Sequence, residues 1–362
     1  MTAAGMRIGL VGPLPPPSGG MANQTRQLCE LLTSAGAKVT VIQVNLPYWP
    51  AWVARVPVVR SICRLIPYLS ALWRAASRSD VFHIMANSGW SWHLFAAPAV
   101  WIAHFRGVAA VVNYRGGEAA DFLQRSGGVV RFTMRRACGL VVPSSFLLTV
   151  FSRFGMQAEI VPNIIDLGRF HPRVPVRSGP PHLLVARNLE PLYDNETAIR
   201  AFMAVRAVFP SARLTIAGSG PEEQRLRQFA NQEGLQDVVR FSGRLERDAM
   251  ALMYRSADIL LNPSLADNMP NSLLEAWSSG VPVVTTNVGG IPHLAQEGFT
   301  ASMVPPGDPT AMAQACISLL SDELVWRQRV EAGLQEAQRY TWPRVRPVLM
   351  DAYRRAMARP AA

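Results

Sequence analysis

A strand–loop–helix–strand pattern that runs along the chain and then starts again is the feature that most constrains the fold. The first series has an apolar run at 6–12, a loop containing Gly19 and Gly20, a helical pattern at 21–35 and a second apolar run at 38–44. This order is a βαβ unit, which predicts parallel strands joined by right-handed crossovers.

The same alternation continues to the end of the chain. Further apolar runs predict strands at 81–86, 109–114, 139–145 and 158–166. After a stretch with two prolines at 172–175 the pattern restarts, with strands predicted at 182–187, 213–218, 238–243, 257–264 and 282–287. The sequence therefore predicts two doubly wound α/β domains in tandem.

We expect an N-terminal domain at 1–172, a C-terminal domain at 173–340, and a basic terminal helix at 341–362 that packs back on the first domain. Ligands of such sheets bind beyond the carboxyl ends of the strands. The default site is a cleft between the two domains.

Composition limits the partners and the compartment. The net charge of +11 predicts an anionic partner, either a membrane surface, a phosphorylated substrate or a nucleic acid. The four cysteines form no CxxC pair, so neither a zinc site nor a disulfide framework is indicated. The scattered cysteines are typical of reduced thiols, so we expect a cytoplasmic protein. No apolar run approaches the roughly 20 residues of a spanning helix, which predicts a protein that is soluble or peripheral to a membrane.

Two acids eight positions apart, Asp267 and Glu275, mark the most informative segment. Asp267 lies in the loop after the strand at 257–264, and Glu275 lies on the helix predicted at 270–279. Backbone N–H groups at 268–272 suit a phosphate, and a carboxylate can accept two hydrogen bonds from a ribose diol. The arrangement as a whole predicts a nucleotide site, although Asp267 taken alone is more typical of a capping residue and Glu275 taken alone of a solvated helix position.

This segment resembles the signature of the retaining glycosyltransferases of family 4, which have the GT-B fold: two Rossmann-like domains facing across a cleft. The likeness continues through SSGVPVVTTNVGGIPHL and VPPGD, and upstream through VARNLEP and LTIAGSGPEEQRL, so that it covers 182–310. The N-terminal half is similar through the Gly19-Gly20 loop and VPNIID. The DNMPNS variant also resembles family members that act in cell-surface polysaccharide assembly.

The resemblance implies a role for each matching residue. Glu275 would bind the ribose hydroxyls of a nucleotide-diphosphate sugar, Asp267 would lie near the hydroxyls of the donor sugar, and Arg187 would neutralise the diphosphate. The remaining donor-binding positions that it implies are Gly19, Gly20, Asn268, Met269, Asn271 and Ser272.

The chain departs from the family pattern in two places. Leu192 and Tyr193 stand where a lysine usually follows the arginine, and Arg115 stands where the N-terminal domain often has a histidine near the reacting sugar. Arg115 and Asp267 are therefore candidate catalytic residues. His83 is a third, because we place it at the end of the strand at 81–86, facing the same cleft, although a half-buried histidine with its hydrogen bonds satisfied inside the protein fits the pattern equally well.

The resemblance implies a reaction without metal or other cofactor. The chain contains no Asp-x-Asp pair of the kind that holds a divalent ion on a diphosphate. In such a mechanism Arg187 and helix N-termini take the place of the metal, and the acceptor hydroxyl attacks from the face that the leaving phosphate occupies.

The region 46–78 predicts the acceptor side. It contains no acid, and it interleaves five arginines with five aromatic residues: Arg55, Arg60, Arg64, Arg74, Arg78, Tyr48, Trp49, Trp52, Tyr68 and Trp73. This composition is typical of a segment at an anionic membrane surface. It favours a lipid-linked glycan acceptor and a protein peripheral to the inner face of the cytoplasmic membrane, although a solvated basic edge of packed helices has the same composition.

Three other functions are compatible with parts of the pattern. A GT-B nucleotide-sugar epimerase shares the fold, and a binding scaffold that has lost catalysis would fit the two departures. A nucleic-acid-binding protein is supported by charge alone, and no recognition motif accompanies it. The Asp267/Glu275 signature favours the transferase.

Overall fold

The computed structural model describes residues 5–16, 19–46, 57–173 and 179–358. By contacts, the chain divides into two units. The first comprises Met1–Asn163 together with Val345–Ala362, and the second comprises Ile164–Arg344. The division falls before the stretch at 172–175 where the sequence predicts a linker.

The first unit contains a parallel six-stranded sheet in the order β2-β1-β3-β4-β5-β6. Its strands are β1 (Arg7–Gly12), β2 (Lys38–Gln43), β3 (Val81–Ala86), β4 (Ala109–Tyr114), β5 (Gly139–Val142) and β6 (Glu159–Ile160). Its helices are α1 (Gly20–Ser34), α2 (Pro57–Ala76), α3 (Ala97–Phe105), α4 (Ala119–Met134) and α5 (Ser145–Arg153), with a π-helical turn at Trp92–Ala96. Helices on both faces explain why β3 is buried along its whole length.

The second unit contains another parallel six-stranded sheet, in the order β12-β11-β10-β7-β8-β9. Its strands are β7 (His182–Ala186), β8 (Arg213–Ala217), β9 (Val239–Gly243), β10 (Ile259–Asn262), β11 (Val283–Thr286) and β12 (Ser302–Val304). Its helices are α6 (Asn195–Val208), α7 (Glu223–Gln232), α8 (Arg247–Ser256), α9 (Asn271–Ser278), α10 (Ile291–Leu294), α11 (Pro309–Ser321) and α12 (Glu323–Ala337), with 3₁₀ turns at Pro191–Tyr193 and Gln338–Tyr340. This is the Rossmann strand order.

The last helix, α13 (Trp342–Ala358), returns to the first unit, which includes the chain from Val345 onward. Its buried residues include Leu349 and Tyr353. No helix in the described ranges has both the length and the apolar character required to cross a membrane.

The predicted α/β class with two doubly wound sheets is confirmed, and the differences are local. The run predicted at 139–145 ends as a strand at Val142, because Ser144 caps α5 by accepting a hydrogen bond from the Leu147 N–H at 3.3 Å. The strand predicted at 158–166 is limited to Glu159–Ile160.

Candidate active site

In the second unit the chain leaves β7 for β8 on one side and later reaches β10 on the other. Loops that diverge from two such strands leave a crevice at their carboxyl ends, where α/β sheets bind ligands. Arg187 directly follows β7, and Asp267 lies in the loop after β10. The fold therefore places two sequence-predicted residues at the topological switch point.

The Arg187 side chain is held on several sides. Its Nε donates to Oδ1 of Asn262 at 2.6 Å, and its Nη2 forms an ion pair with Asp267. Its guanidinium carbon lies 5.1 Å from the ring centroid of Tyr193. Tyr193 is one of the two positions, with Leu192, at which the resemblance leads us to expect a lysine, and it places an aromatic ring beside Arg187.

Asp267 is the counterion of Arg187 within the protein. Its Oδ1 accepts a hydrogen bond from the Asn268 N–H at 2.8 Å. Burial raises the pKa of Asp267, and the positive charge of Arg187 acts in the opposite direction. The side chains of Arg187 and Asp267 are only 11% and 14% exposed, so their pairing is shielded from bulk water.

Helix α9 begins immediately after this loop, with Pro270 as its N-cap residue. Ser272 in its first turn is buried, and its Oγ makes no hydrogen bond within the described ranges. A helix N-terminus with a buried hydroxyl suits an anionic ligand. Asn268 is also buried, whereas Met269 packs with Leu273 in the hydrophobic core and so can offer a ligand little beyond its backbone.

Glu275 lies in α9 and accepts a hydrogen bond from the Tyr254 hydroxyl at 3.0 Å. Burial raises the pKa of Glu275 to about 7, although Tyr254, Arg247 and Arg187 oppose the rise. The carboxyl group is thus close to its titration point near neutral pH. Its ionised form offers the acceptor oxygens that a vicinal diol requires.

Two pairs of glycines surround the backbone of these residues. A Cβ at Gly218 would lie 1.8 Å from the Arg187 carbonyl oxygen, and one at Gly290 would lie 1.9 Å from that of Asn268. Gly220 and Gly289 approach Leu189 and Asp267 in the same way. The sequence alone does not reveal these contacts, nor those of Asn262 and Tyr254. A polar residue that ends a buried strand, as Asn262 does, is the one available signal.

In the first unit Arg115 follows β4. Its Nε donates to Oδ1 of Asn113 at 3.1 Å, and its Nη1 donates to Oε1 of Gln24 at 3.0 Å and to Oδ1 of Asn163. Burial lowers the pKa of Arg115 to about 10, which leaves it charged at neutral pH. Among the described residues, these partners of its side chain are amide oxygens, which carry no charge.

The sequence prediction for His83 is wrong in its placement. His83 is the third residue of β3, not its last, and it is fully buried. Both ring nitrogens have partners, since Nε2 lies 3.0 Å from Nδ2 of Asn113 and Nδ1 lies 2.8 Å from the Tyr353 hydroxyl. A side chain enclosed in this way has no nitrogen left for direct contact with a substrate.

Gly19 and Gly20 form the start of α1, with Gly19 as N-cap residue. A Cβ at either position would meet no atom within 4 Å among the described residues. Packing within the protein therefore does not explain the two glycines, and their expected approach to a donor stays a prediction.

Comparisons with known proteins identify the family and the fold. The family model described as Glycosyltransferase Family 4 matches residues 18–169, and the model described as Glycosyl transferases group 1 matches residues 180–322. The chain belongs to the family 4 glycosyltransferases. Together the two matches take up most of both units.

A curated relative and two solved structures extend the likeness over the full length. Phosphatidyl-myo-inositol mannosyltransferase of Mycobacterium leprae is 26% identical, over 96% of each chain. Sucrose-phosphate synthase of Thermosynechococcus elongatus has a TM-score of 0.77 at 18% identity, covering 98% of this chain and 99% of that one. Anabaena HepE in complex with UDP and glucose has a TM-score of 0.72 at 16% identity, covering 96% and 98%. These structures share the GT-B fold, and this enzyme is a glycosyltransferase of that type.

Proposed function

We propose that this family 4 enzyme transfers a sugar from a nucleotide-diphosphate donor, with retention of configuration and without a metal ion. The acceptor would be a hydroxyl of a lipid-linked glycan at an anionic membrane, in the assembly of a cell-surface polysaccharide. The observation that carries the proposal is the meeting of Arg187 and Asp267 at the switch point, beside the N-terminus of α9.

The diphosphate would bind Arg187 and the first turn of α9. A guanidinium can donate to two phosphate oxygens, and the buried Ser272 hydroxyl supplies a further donor. Tyr193 would keep the guanidinium plane in place from one side. HepE, which shares the fold, has been solved with UDP and with UDP-glucose, and this supports a nucleotide sugar as donor.

When the donor binds, its diphosphate would replace Asp267 as the partner of Arg187. As the diphosphate takes over Arg187, the Asp267 carboxylate would be released to accept hydrogen bonds from hydroxyls of the donor sugar. Glu275 would accept hydrogen bonds from the ribose diol in place of the one from Tyr254. Arg115 would hold an oxygen of the sugar or of the acceptor.

In the transfer step, the acceptor oxygen forms a bond with the anomeric carbon while the bond from that carbon to the phosphate oxygen breaks. Both events occur on one face of the sugar, which retains the configuration. The acceptor proton passes to the leaving phosphate oxygen. Arg187 stabilises the negative charge that develops on the diphosphate, which is the largest electrostatic contribution expected from the site.

A thermal-shift panel with UDP, GDP and ADP at about pH 8 tests donor binding, because Glu275 is then mostly ionised. A nucleotide at about 100 times its dissociation constant stabilises the folded protein by about 2.7 kcal/mol. We expect one nucleotide to raise the melting temperature and Glu275→Ala to abolish that increase.

Glu331→Ala is the matched control, since Glu331 is an exposed acid on α12. It should retain the full nucleotide-dependent increase. An undiminished increase in Glu275→Ala would contradict the ribose assignment.

Chelation of divalent ions should leave the nucleotide-dependent increase in melting temperature and the transfer rate unchanged, and loss of both would contradict the metal-independent mechanism.

A surface formed by the ends of α2, α3 and α4 supports the membrane part of the proposal. Arginines stack on its aromatic residues, of which Trp73 is exposed and Trp101 is half-buried: the Arg106 guanidinium lies 4.7 Å from the Trp73 ring centroid, and that of Arg136 lies 4.8 Å from the Trp101 ring centroid. Phe105 beside them is 67% exposed. We call Trp73, Trp101, Phe105, Arg106, Phe132 and Arg136 the Arg–aromatic surface.

The structure modifies the membrane segment predicted at 46–78. Tyr68 is buried, and its hydroxyl donates to the Phe95 carbonyl at 2.7 Å, so it belongs to the core and not to the surface. Tyr48, Trp49, Trp52 and Arg55 lie outside the described residues, as does the side chain of Arg60. The Arg–aromatic surface adds residues from α3 and α4 that the sequence pattern did not indicate.

Trp73→Ala combined with Arg106→Ala should weaken binding to vesicles of phosphatidylglycerol and phosphatidylcholine by about fivefold or more, because one cation near an anionic surface contributes about 1 kcal/mol and the buried apolar area of the Trp73 ring adds to it. Sedimentation with vesicles measures the change. The matched control is Leu324→Ala with Arg327→Ala, an exposed apolar–basic pair on α12. Equal vesicle binding by both double variants would show that another surface contacts the membrane.

A further inference from the structure

Arg115 stands at one end of a buried row of hydrogen bonds that reaches the C-terminal helix. Arg115 Nε lies 3.1 Å from Asn113 Oδ1, Asn113 Nδ2 lies 3.0 Å from His83 Nε2, and His83 Nδ1 lies 2.8 Å from the Tyr353 hydroxyl. The row starts after β4, crosses to β3 and ends on α13. It therefore joins three elements of the first unit that are far apart in sequence.

The chemistry of Arg115 fixes the direction of every bond in this row. A guanidinium can only donate, so the Asn113 oxygen must face Arg115 and the Asn113 amino group must face His83. His83 Nε2 then accepts, which places the ring proton on Nδ1, from where it is donated to the Tyr353 oxygen. One tautomer of His83 satisfies the whole row.

The surroundings keep His83 neutral. Burial, together with a smaller effect of the positive charge of Arg115, lowers the pKa of His83 to about 3. A protonated ring would donate from both nitrogens and would face the Asn113 amino group with a second donor. The row is therefore compatible only with an uncharged histidine, and His83 does not act as a proton donor or acceptor in the reaction.

The hydrogen-bond partners of the Arg115 side chain leave its positive charge uncompensated. The oxygens of Asn113, Gln24 and Asn163 that accept its hydrogen bonds carry no negative charge. By contrast, Arg187 in the second unit is paired with the carboxylate of Asp267. A buried arginine held by neutral amides keeps its positive charge available for an anionic group of a ligand.

We infer that His83 and Tyr353 are positioning residues that act through Asn113 to hold the Arg115 guanidinium in its working orientation. This inference rests on the proposed function in that it places Arg115 in the active site. It gives α13 a direct part in the site, and it explains why a histidine occupies the middle of a fully buried strand.

The first readout is independent of catalysis. In ¹⁵N-labelled protein, His83 should give the signals of the neutral tautomer protonated at Nδ1, and the Nε proton of Arg115 should exchange slowly with water. Tyr353→Phe and His83→Leu each remove one or more bonds from the row. They should speed the exchange of that proton by about tenfold, the equivalent of a buried hydrogen bond.

The second readout is kinetic. With the sugar nucleotide whose base the thermal-shift panel identifies, both variants should lower kcat by about tenfold and leave KM for the donor unchanged. His83→Gln should recover much of the loss relative to His83→Leu, because its amide can accept from Asn113 and donate to Tyr353. Tyr68→Phe is the control, since it removes another buried tyrosine hydroxyl bond of similar length, 2.7 Å.

The outcomes separate the inference from the proposed function. If the Arg115 proton exchanges at the wild-type rate in Tyr353→Phe and His83→Leu, the positioning role is overturned. Faster exchange with unchanged kcat would support the hydrogen-bond row and would contradict the assignment of Arg115 to the active site. If Tyr68→Phe lowers kcat as much as Tyr353→Phe does, both losses reflect a general effect on stability, and the inference is overturned.

Discussion

Replacement of Arg187 by alanine is expected to lower the rate of sugar transfer by about a thousandfold, which is typical for loss of a group that stabilises charge in the transition state. It should also lower the free energy of unfolding by about 3 kcal/mol, because Asp267 would remain buried without its counterion. Transfer assays and denaturant unfolding measure the two effects separately.

The double variant Arg187→Ala with Asp267→Asn distinguishes catalysis from stability. It removes the uncompensated carboxylate, so the free energy of unfolding should return most of the way to the wild-type value. The transfer rate should stay low, since the guanidinium proposed to bind the diphosphate is missing. Recovery of transfer in the double variant would show that Arg187 serves only to neutralise Asp267. Arg187→Lys should rank between wild type and alanine, because an ammonium group cannot make the paired contacts of a guanidinium.

The architecture is predictable because buried parallel strands are continuous apolar runs. VFHIMA and AAVVNY match β3 and β4 over their full lengths, for example. The exceptions are short strands, in which a pattern has too few residues to be recognised. β12 has three residues, and no strand is predicted there from the sequence. β6 comprises two residues of the longer strand predicted at 158–166.

The site is predictable where it depends on position along a strand or helix. Arg187 and Asp267 follow strands, and parallel strands bring their carboxyl ends to one edge of a sheet. Contacts between distant segments are not predictable in this way. His83 is predicted at a strand end but lies inside β3, and its partner Tyr353 lies 270 positions along the chain, where no local pattern connects the two.

Alanine at Gly218 or Gly290 is expected to destabilise the second unit by roughly 3 kcal/mol or more, near the upper end of the cost of overpacking. Each new Cβ would fall within 2 Å of a carbonyl oxygen, that of Arg187 for Gly218 and that of Asn268 for Gly290. Backbone oxygens cannot rotate away as a side chain can, so the loop that carries the site residue must move. Thermal unfolding measures the loss of stability.

The comparison with Gly128→Ala separates this steric effect from the general cost of replacing a glycine. Gly128 lies inside α4, and a Cβ there would meet no atom within 4 Å among the described residues, so alanine should stabilise the helix by about 0.5–1 kcal/mol. In Gly218→Ala and Gly290→Ala the nucleotide-dependent rise in melting temperature should also disappear, because Arg187 and Asn268 are displaced. If both variants have the melting temperature of the wild type, the glycines do not lie this close to the carbonyl oxygens in solution. If they are destabilised but keep that rise, the glycines support the fold without fixing the position of the site.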